Sequence, residues 1–248
     1  MIDVIIAGAA RTAMGRFQGM FDGIPAADLG GAAIRAALDG AGTPMVDEVL
    51  MGNVLPAGQG QAPARQASFA AGLGEEVPAT TLNKMCGSGM KAAMVAFDQI
   101  ALGARDVMVA GGMESMTNAP YLFPKMRGGS RIGHGQVIDH MLLDGLEDAY
   151  DRGRLMGTFV EDCAENYQFT RDAQDDYALT SLSNALAAQS SGAFQAEIAP
   201  YTVPSSTGDT VVSADEQLGT ARPEKISTLK PVFRKDGPVT AANSASIS

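Results

Sequence analysis

The first 119 residues alternate between strand-like and helix-like patterns, which predicts an α/β fold on a parallel, buried sheet. Three observations carry this prediction. Short apolar runs rich in Val, Ile and Leu recur between stretches with helical spacing. Glycine closes most of these segments. Near Pro120 the composition then shifts toward Gly, Pro, Met and charge, marking 120–240 as a mainly helical insertion packed on the sheet domain. Residues 241–248 begin the return to that domain.

Residues 3–8 (Asp-Val-Ile-Ile-Ala-Gly) read as a short buried strand. Residues 26–39 are Ala-rich with helical spacing and stop at Gly40. Residues 48–55 read as a strand, 62–72 as a helix ending at Gly72, and 79–85 as a strand. The next helix places Met90, Ala93, Met94, Phe97 and Ala101 on one face and stops at Gly103. Residues 107–110 form a fourth strand before Gly111-Gly112. In the insertion, helical faces recur at Ile138, Met141, Leu142 and Leu146, then at Val160, Cys163, Ala164 and Tyr167, then at Ala178, Leu182, Ala185 and Leu186. Thr158 and Glu161 have capping-box spacing, and Thr170 is placed to cap the third helix.

The formal net charge of −10 disfavours nucleic acid and anionic membranes as partners. Two cysteines in 248 residues are too few for a disulfide framework, which points to a reducing, cytoplasmic compartment. The start, Met1-Ile2-Asp3-Val4, has no basic segment of the signal-peptide kind. No apolar run approaches the ~20 residues that a membrane helix needs.

The sharpest chemical feature is Asn83-Lys84-Met85-Cys86-Gly87-Ser88-Gly89-Met90. It places a cysteine where a strand turns into a helix. Free N–H groups and the helix dipole at such a point favour a thiolate. Gly87 and Gly89 leave room for a substrate, and N–H groups at such a turn can hold an oxyanion. Placement alone leaves open both a nucleophile and a buried structural cysteine. Cys163, mid-helix among apolar residues, reads as core packing. His134 and His140 read as exposed loop and helix-surface residues, so the cysteine has no obvious base. No cluster has metal-ligand spacing. Arg222, Lys225, Lys230, Arg234 and Lys235 place five cations within fourteen residues, with Glu224 the one acid among them. Such a cluster is either a site for a phosphorylated ligand or a solvated face.

Taken together, these motifs resemble the thiolase family. The Asn83–Gly89 run is similar to its nucleophile motif. Ala9-Ala10-Arg11-Thr12 and the following Gly15-Arg16-Phe17-Gln18-Gly19 are similar to the loop after its first strand. The run from Val54 to Gln66, Gly111-Gly112-Met113-Glu114-Ser115-Met116, and Val239-Thr240-Ala241-Ala242-Asn243 match further family stretches. The resemblance implies a thiolase N-terminal α/β domain over 1–119 and a coenzyme A-binding loop domain over 120–240.

It also implies a reaction: two acetyl-CoA interconvert with acetoacetyl-CoA and CoA through an acyl-Cys86 intermediate. The alternatives are a 3-oxoacyl-CoA thiolase of broader chain length and a non-catalytic CoA-binding relative. The family's CoA contacts fall on Leu146, Met156 and Phe233, with Arg222 and Lys225 as phosphate partners. No metal and no cofactor is implied, because coenzyme A is a substrate. Partners are acyl-CoA, CoA and further copies of the chain, as a homodimer or homotetramer, with 125–131 resembling the loop that joins dimers. Leu155 stands where some biosynthetic members have a histidine, and Ala245 where the family often has a serine. The family's Gly-His-Pro and Cys-x-Gly acid/base motifs do not occur in these residues. The resemblance therefore implies a C-terminal thiolase domain outside residues 1–248, and no turnover by these residues alone.

Overall fold

The computed structural model describes residues 3–206 and 208–248. Its centre is a three-stranded parallel sheet of order β2-β1-β3, formed by β1 (Glu48–Gly52), β2 (Ala79–Leu82) and β3 (Met108–Gly112). Val49 pairs with Ala79 and Val109, which sets the register on both sides of β1. Alternation along a strand sends successive side chains to opposite faces. Val49 and Met51 accordingly join α1 (Ala26–Gly40) and α2 (Pro63–Ala70) in the main core, with Ala26, Ile34, Leu38, Ala64 and Ala67. Leu50 points the other way and packs on Ala92 and Ala96 of α3 (Ser88–Ala101). Helices thus cover both faces of β1.

The face of α3 that meets the sheet is not the one its large residues mark. Met90, Met94 and Phe97 are 73%, 51% and 49% exposed, whereas Ser88, Ala92 and Ala96 are buried. Close approach is the reason. A Cβ placed on Gly52 would lie 2.5 Å from the Ser88 Cβ, so the backbones nearly touch and only small side chains fit between them. The predicted strand at 3–8 does not form either. These residues have no ladder partner among the described residues, and Ile5 and Ile6 are 81% and 88% exposed. An apolar run becomes a strand only where a neighbouring edge accepts its hydrogen bonds.

Past Pro120 come β4 (Tyr121–Leu122) and β5 (Ile138–Asp139), an antiparallel pair, and then a π-helical turn at Leu142–Leu146. The helical face expected over 138–146 is therefore part strand and part π-turn. Helices α4 (Met156–Asn166) and α5 (Arg171–Ser190) follow, then the antiparallel pair β6 (Tyr201–Val203) and β7 (Thr210–Val212), and the short α6 (Glu216–Thr220). Thr170 caps α5, accepting the Ala173 N–H at 3.2 Å. The predicted capping box on α4 is absent. Leu155 takes the cap position, the Thr158 hydroxyl donates to the Leu155 carbonyl at 2.7 Å, and Glu161 is buried with both oxygens unpaired.

Two polar joints tie distant segments together. Arg11 exchanges backbone bonds with Glu197 and Ala199 at 2.8 Å each. Its guanidinium grips Asp215 through two bonds, at 2.8 and 3.1 Å. Asn243 donates to Asp175 and to the Pro238 carbonyl, at 3.0 Å each, and holds the 239–243 turn against α5. No described helix is long and apolar enough to cross a membrane.

Candidate active site

The C-terminal ends of the three parallel strands converge, and in open α/β sheets ligands bind at such ends. Cys86 stands there, exposed, between the end of β2 and the start of α3. Met85 just before it has φ of +50°, a left-handed conformation that a non-glycine residue adopts at a cost. Local bonds hold that turn. The Met85 N–H donates to the Asn83 side-chain oxygen at 2.8 Å. The Ser88 hydroxyl accepts the Lys84 N–H at 2.8 Å and donates to the Met85 carbonyl at 2.5 Å. The Gly87 N–H donates to the Lys84 carbonyl at 3.1 Å. The Cys86 and Gly89 N–H groups have no hydrogen-bond partner among the described residues. The turn therefore holds a thiol at the positive end of a 14-residue helix, with unused donors beside it.

Neighbouring strand ends brace this corner. Glu114, just past β3, accepts the Val54 and Leu55 N–H groups at 2.7 and 3.1 Å and the Asn53 amide at 2.8 Å. Burial pushes the Glu114 carboxyl up, against the opposing pull of those two N–H groups. The Asn83 amide reaches the Val54 carbonyl at 3.3 Å, so the segments that follow β1 and β2 are joined three residues before Cys86.

The other predicted contacts lie elsewhere. An isolated bridge between Glu147 and Leu155 closes the loop that follows Leu146 and delivers the chain to Met156. The Phe233 ring lies flush on Gly157, where a Cβ would collide with it, so Phe233 packs on the residue next to Met156. Arg222 and Lys225 are exposed on a 3-10 turn (Pro223–Thr228 and its cap). Arg222 spends part of its guanidinium on the Thr220 and Ala221 carbonyls. No described contact joins Cys86 to either group.

Three expectations change. Arg234 is not a free cation of the basic cluster, because it pairs with Asp162 and, at 3.4 Å, with Glu165. Cys163 is exposed, since α4 turns Glu161 and Ala164 inward instead. His140 is 4% exposed rather than a surface residue: its Nδ1 lies 2.6 Å from Asp144 and its Nε2 accepts the Ala57 N–H at 3.4 Å. The four-residue spacing of His140 and Asp144 was the available signal. Asp162 carried no signal of its own, because its partners lie 8 and 72 positions away. Among the described residues no group of three or more metal-ligating side chains could hold a metal ion.

A parallel α/β sheet with an exposed cysteine on its strand-to-helix turn defines a class of domain that sets a thiol at a helix start. The family profile of the thiolase N-terminal domain matches residues 4–248. The chain is 50% identical over 252 residues to acetyl-CoA acetyltransferase 2 of Arabidopsis thaliana, covering 99% of this chain and 62% of that one. It is 46% identical to the acetyl-CoA acetyltransferase of Cupriavidus necator, covering 100% of this chain and 64% of that one. The solved acetyl-CoA acetyltransferase of Syntrophomonas wolfei superposes with a TM-score of 0.90 at 38% identity, over 98% of this chain and 61% of that one. The chain belongs to the thiolase family. It spans somewhat less than two thirds of the length of these relatives.

Proposed function

We propose that the protein is an acetyl-CoA acetyltransferase in which Cys86 carries the acyl group. The observation that carries this reading is the Cys86 turn: an exposed thiol at the start of α3, with its own N–H unpaired. The names and identities of the relatives support it. In thiolysis the Cys86 thiolate attacks the 3-oxo carbon of acetoacetyl-CoA, and a C–S bond forms. The bond between carbons 2 and 3 then breaks, and its electron pair leaves on acetyl-CoA as the enolate, which takes up a proton. The thiolate of a second CoA attacks the acyl-cysteine, forms a second acetyl-CoA and returns the Cys86 thiolate. The free Cys86 N–H is placed to hold an oxygen that gains negative charge. Among the described residues no histidine or carboxylate is hydrogen-bonded to the Cys86 thiol.

Leu146, Met156 and Phe233 supply the CoA-binding surface, with Arg222 and Lys225 for its phosphates; coenzyme A acts as substrate. We assign the protein to the cytoplasm, as a homodimer or homotetramer, with the exposed 125–131 loop as the dimer-joining surface. Light scattering tests the assembly, and a monomer alone would refute it. The activity is tested by following loss of acetoacetyl-CoA absorbance with CoA, using the protein as its gene encodes it. Cys86→Ala should lower kcat by at least about 10³-fold. Turnover that survives this substitution would overturn the reading.

A further inference from the structure

The loop at 147–155 and the loop at 232–239 each close on themselves. The first does so through the Asp148 N–H to the Arg154 carbonyl at 2.8 Å, and the second through the Val232 N–H to the Val239 carbonyl at 3.0 Å. No backbone hydrogen bond joins the two among the described residues. They meet instead on one face of α4. Arg154 ends the first loop, two positions before Met156, and Arg234 directly follows Phe233 in the second. Both guanidinium groups reach the same carboxylate, that of Asp162. Thr158, one helical turn earlier, serves both again: its hydroxyl accepts Arg154 Nε at 3.1 Å and its carbonyl accepts Arg234 Nη2 at 3.5 Å. Arg154 also lies over the Phe159 ring, 3.7 Å from its centroid. Each arginine has one further acid, Asp151 at 3.7 Å or Glu165 at 3.4 Å, but only Asp162 is shared.

We propose that Asp162 is a positioning residue whose single carboxylate joins Arg154 and Arg234, and so holds Met156 and Phe233 together as one wall of the coenzyme A site. This rests on the reading of Met156 and Phe233 as CoA contacts. The physical logic is local charge balance. With Asp162 neutralised, two cations meet on one face of α4, and only the uncharged Thr158 still contacts both. The Phe233 ring then loses its seat on Gly157. The ions are partly exposed, where screening keeps pair energies small. The consequence is therefore a shift in ligand affinity rather than in folding. Cys86 lies on a separate turn that Asp162 does not touch, so the chemical step is spared.

Steady-state thiolysis in the full-length protein, with CoA varied, tests this together with calorimetric titration of CoA. Asp162→Asn should raise the KM for CoA about fivefold and leave kcat within about twofold. Asp162→Glu should restore KM. Arg234→Leu should match Asp162→Asn, and the double variant should show no further rise, because both remove one interaction. An unchanged KM in Asp162→Asn, additive effects in the double variant, or a fall in kcat at constant KM would overturn the proposal. A wild-type protein that binds CoA without thiolysis would sink the assigned activity alone, with the clamp still read from the titrations. A wild type that binds no CoA would overturn both.

Discussion

Two cysteines of similar exposure separate what a side chain can do from where it stands. Cys86 begins α3 beside unpaired N–H groups, while Cys163 sits seven residues into α4 with its helical hydrogen bonds made. Alkylating reagents should therefore label both, since both are open to solvent. Acetyl-CoA should acetylate only Cys86, because only there do a helix start and free donors meet the thiol. Peptide mapping after brief incubation with acetyl-CoA decides this, and acetyl on Cys163 in place of Cys86 would refute it. Gly157 is a second test at the same scale. Alanine there meets the Phe233 ring, yet it gains up to about 1 kcal/mol of helix propensity. Gly157→Ala should therefore weaken CoA binding several-fold without lowering the Tm. A lower Tm with unchanged affinity would remove Phe233 from the binding surface.

Among the elements, α3 and β1 show how packing distance selects a face. Leu50 is the one fully buried large side chain on the α3 side of β1, held between Ala92 and Ala96. The small residues of α3 let it approach until Ser88 nearly touches Gly52, and that contact places Cys86 above the sheet edge. Leu50→Ala opens a cavity that α3 cannot fill by moving closer. It should cost about 2–5 kcal/mol of stability, read from urea unfolding, and it should lower kcat as the Cys86 turn loosens. A loss below about 1 kcal/mol would mean that the helix collapses onto the sheet without penalty.

Across the whole molecule, Arg11 and Asp215 link positions 204 residues apart. Burial pushes the Asp215 carboxyl up, but the hydrogen bonds from Arg11 and from the Met14 N–H outweigh it and hold the group below its ordinary value. A carboxyl with a lowered folded pKa adds stability above its unfolded value, near ~3.9. That stability is lost as pH falls through the folded value. In Arg11→Leu only the Met14 N–H still opposes burial, Asp215 takes up its proton earlier, and the acid-unfolding midpoint should move to higher pH. Circular dichroism against pH measures this, and an unmoved midpoint would show that the joint contributes nothing to folding.

Much of this protein was legible from residue order. Glycine stops and helical spacing located α1, α2 and α3, and the apolar runs located β1, β2 and β3, because local propensity and burial agree in those segments. The Asn83–Gly89 run was legible for the same reason: a strand, a turn and a helix start are local events. Tertiary structure decided the rest. Residues 3–8 have strand composition but no described edge to pair with. Met90, Met94 and Phe97 form an apolar stripe, yet the sheet accepts the small residues of α3, because the Gly52–Ser88 approach is set by two backbones and not by side-chain hydrophobicity. His140 read as a helix-surface residue and Arg234 as one cation of a basic cluster, until the fold set Ala57 against the first and Asp162 against the second. Periodicity reports which residues avoid water, while the partner of each polar group depends on which distant segment the fold lays beside it.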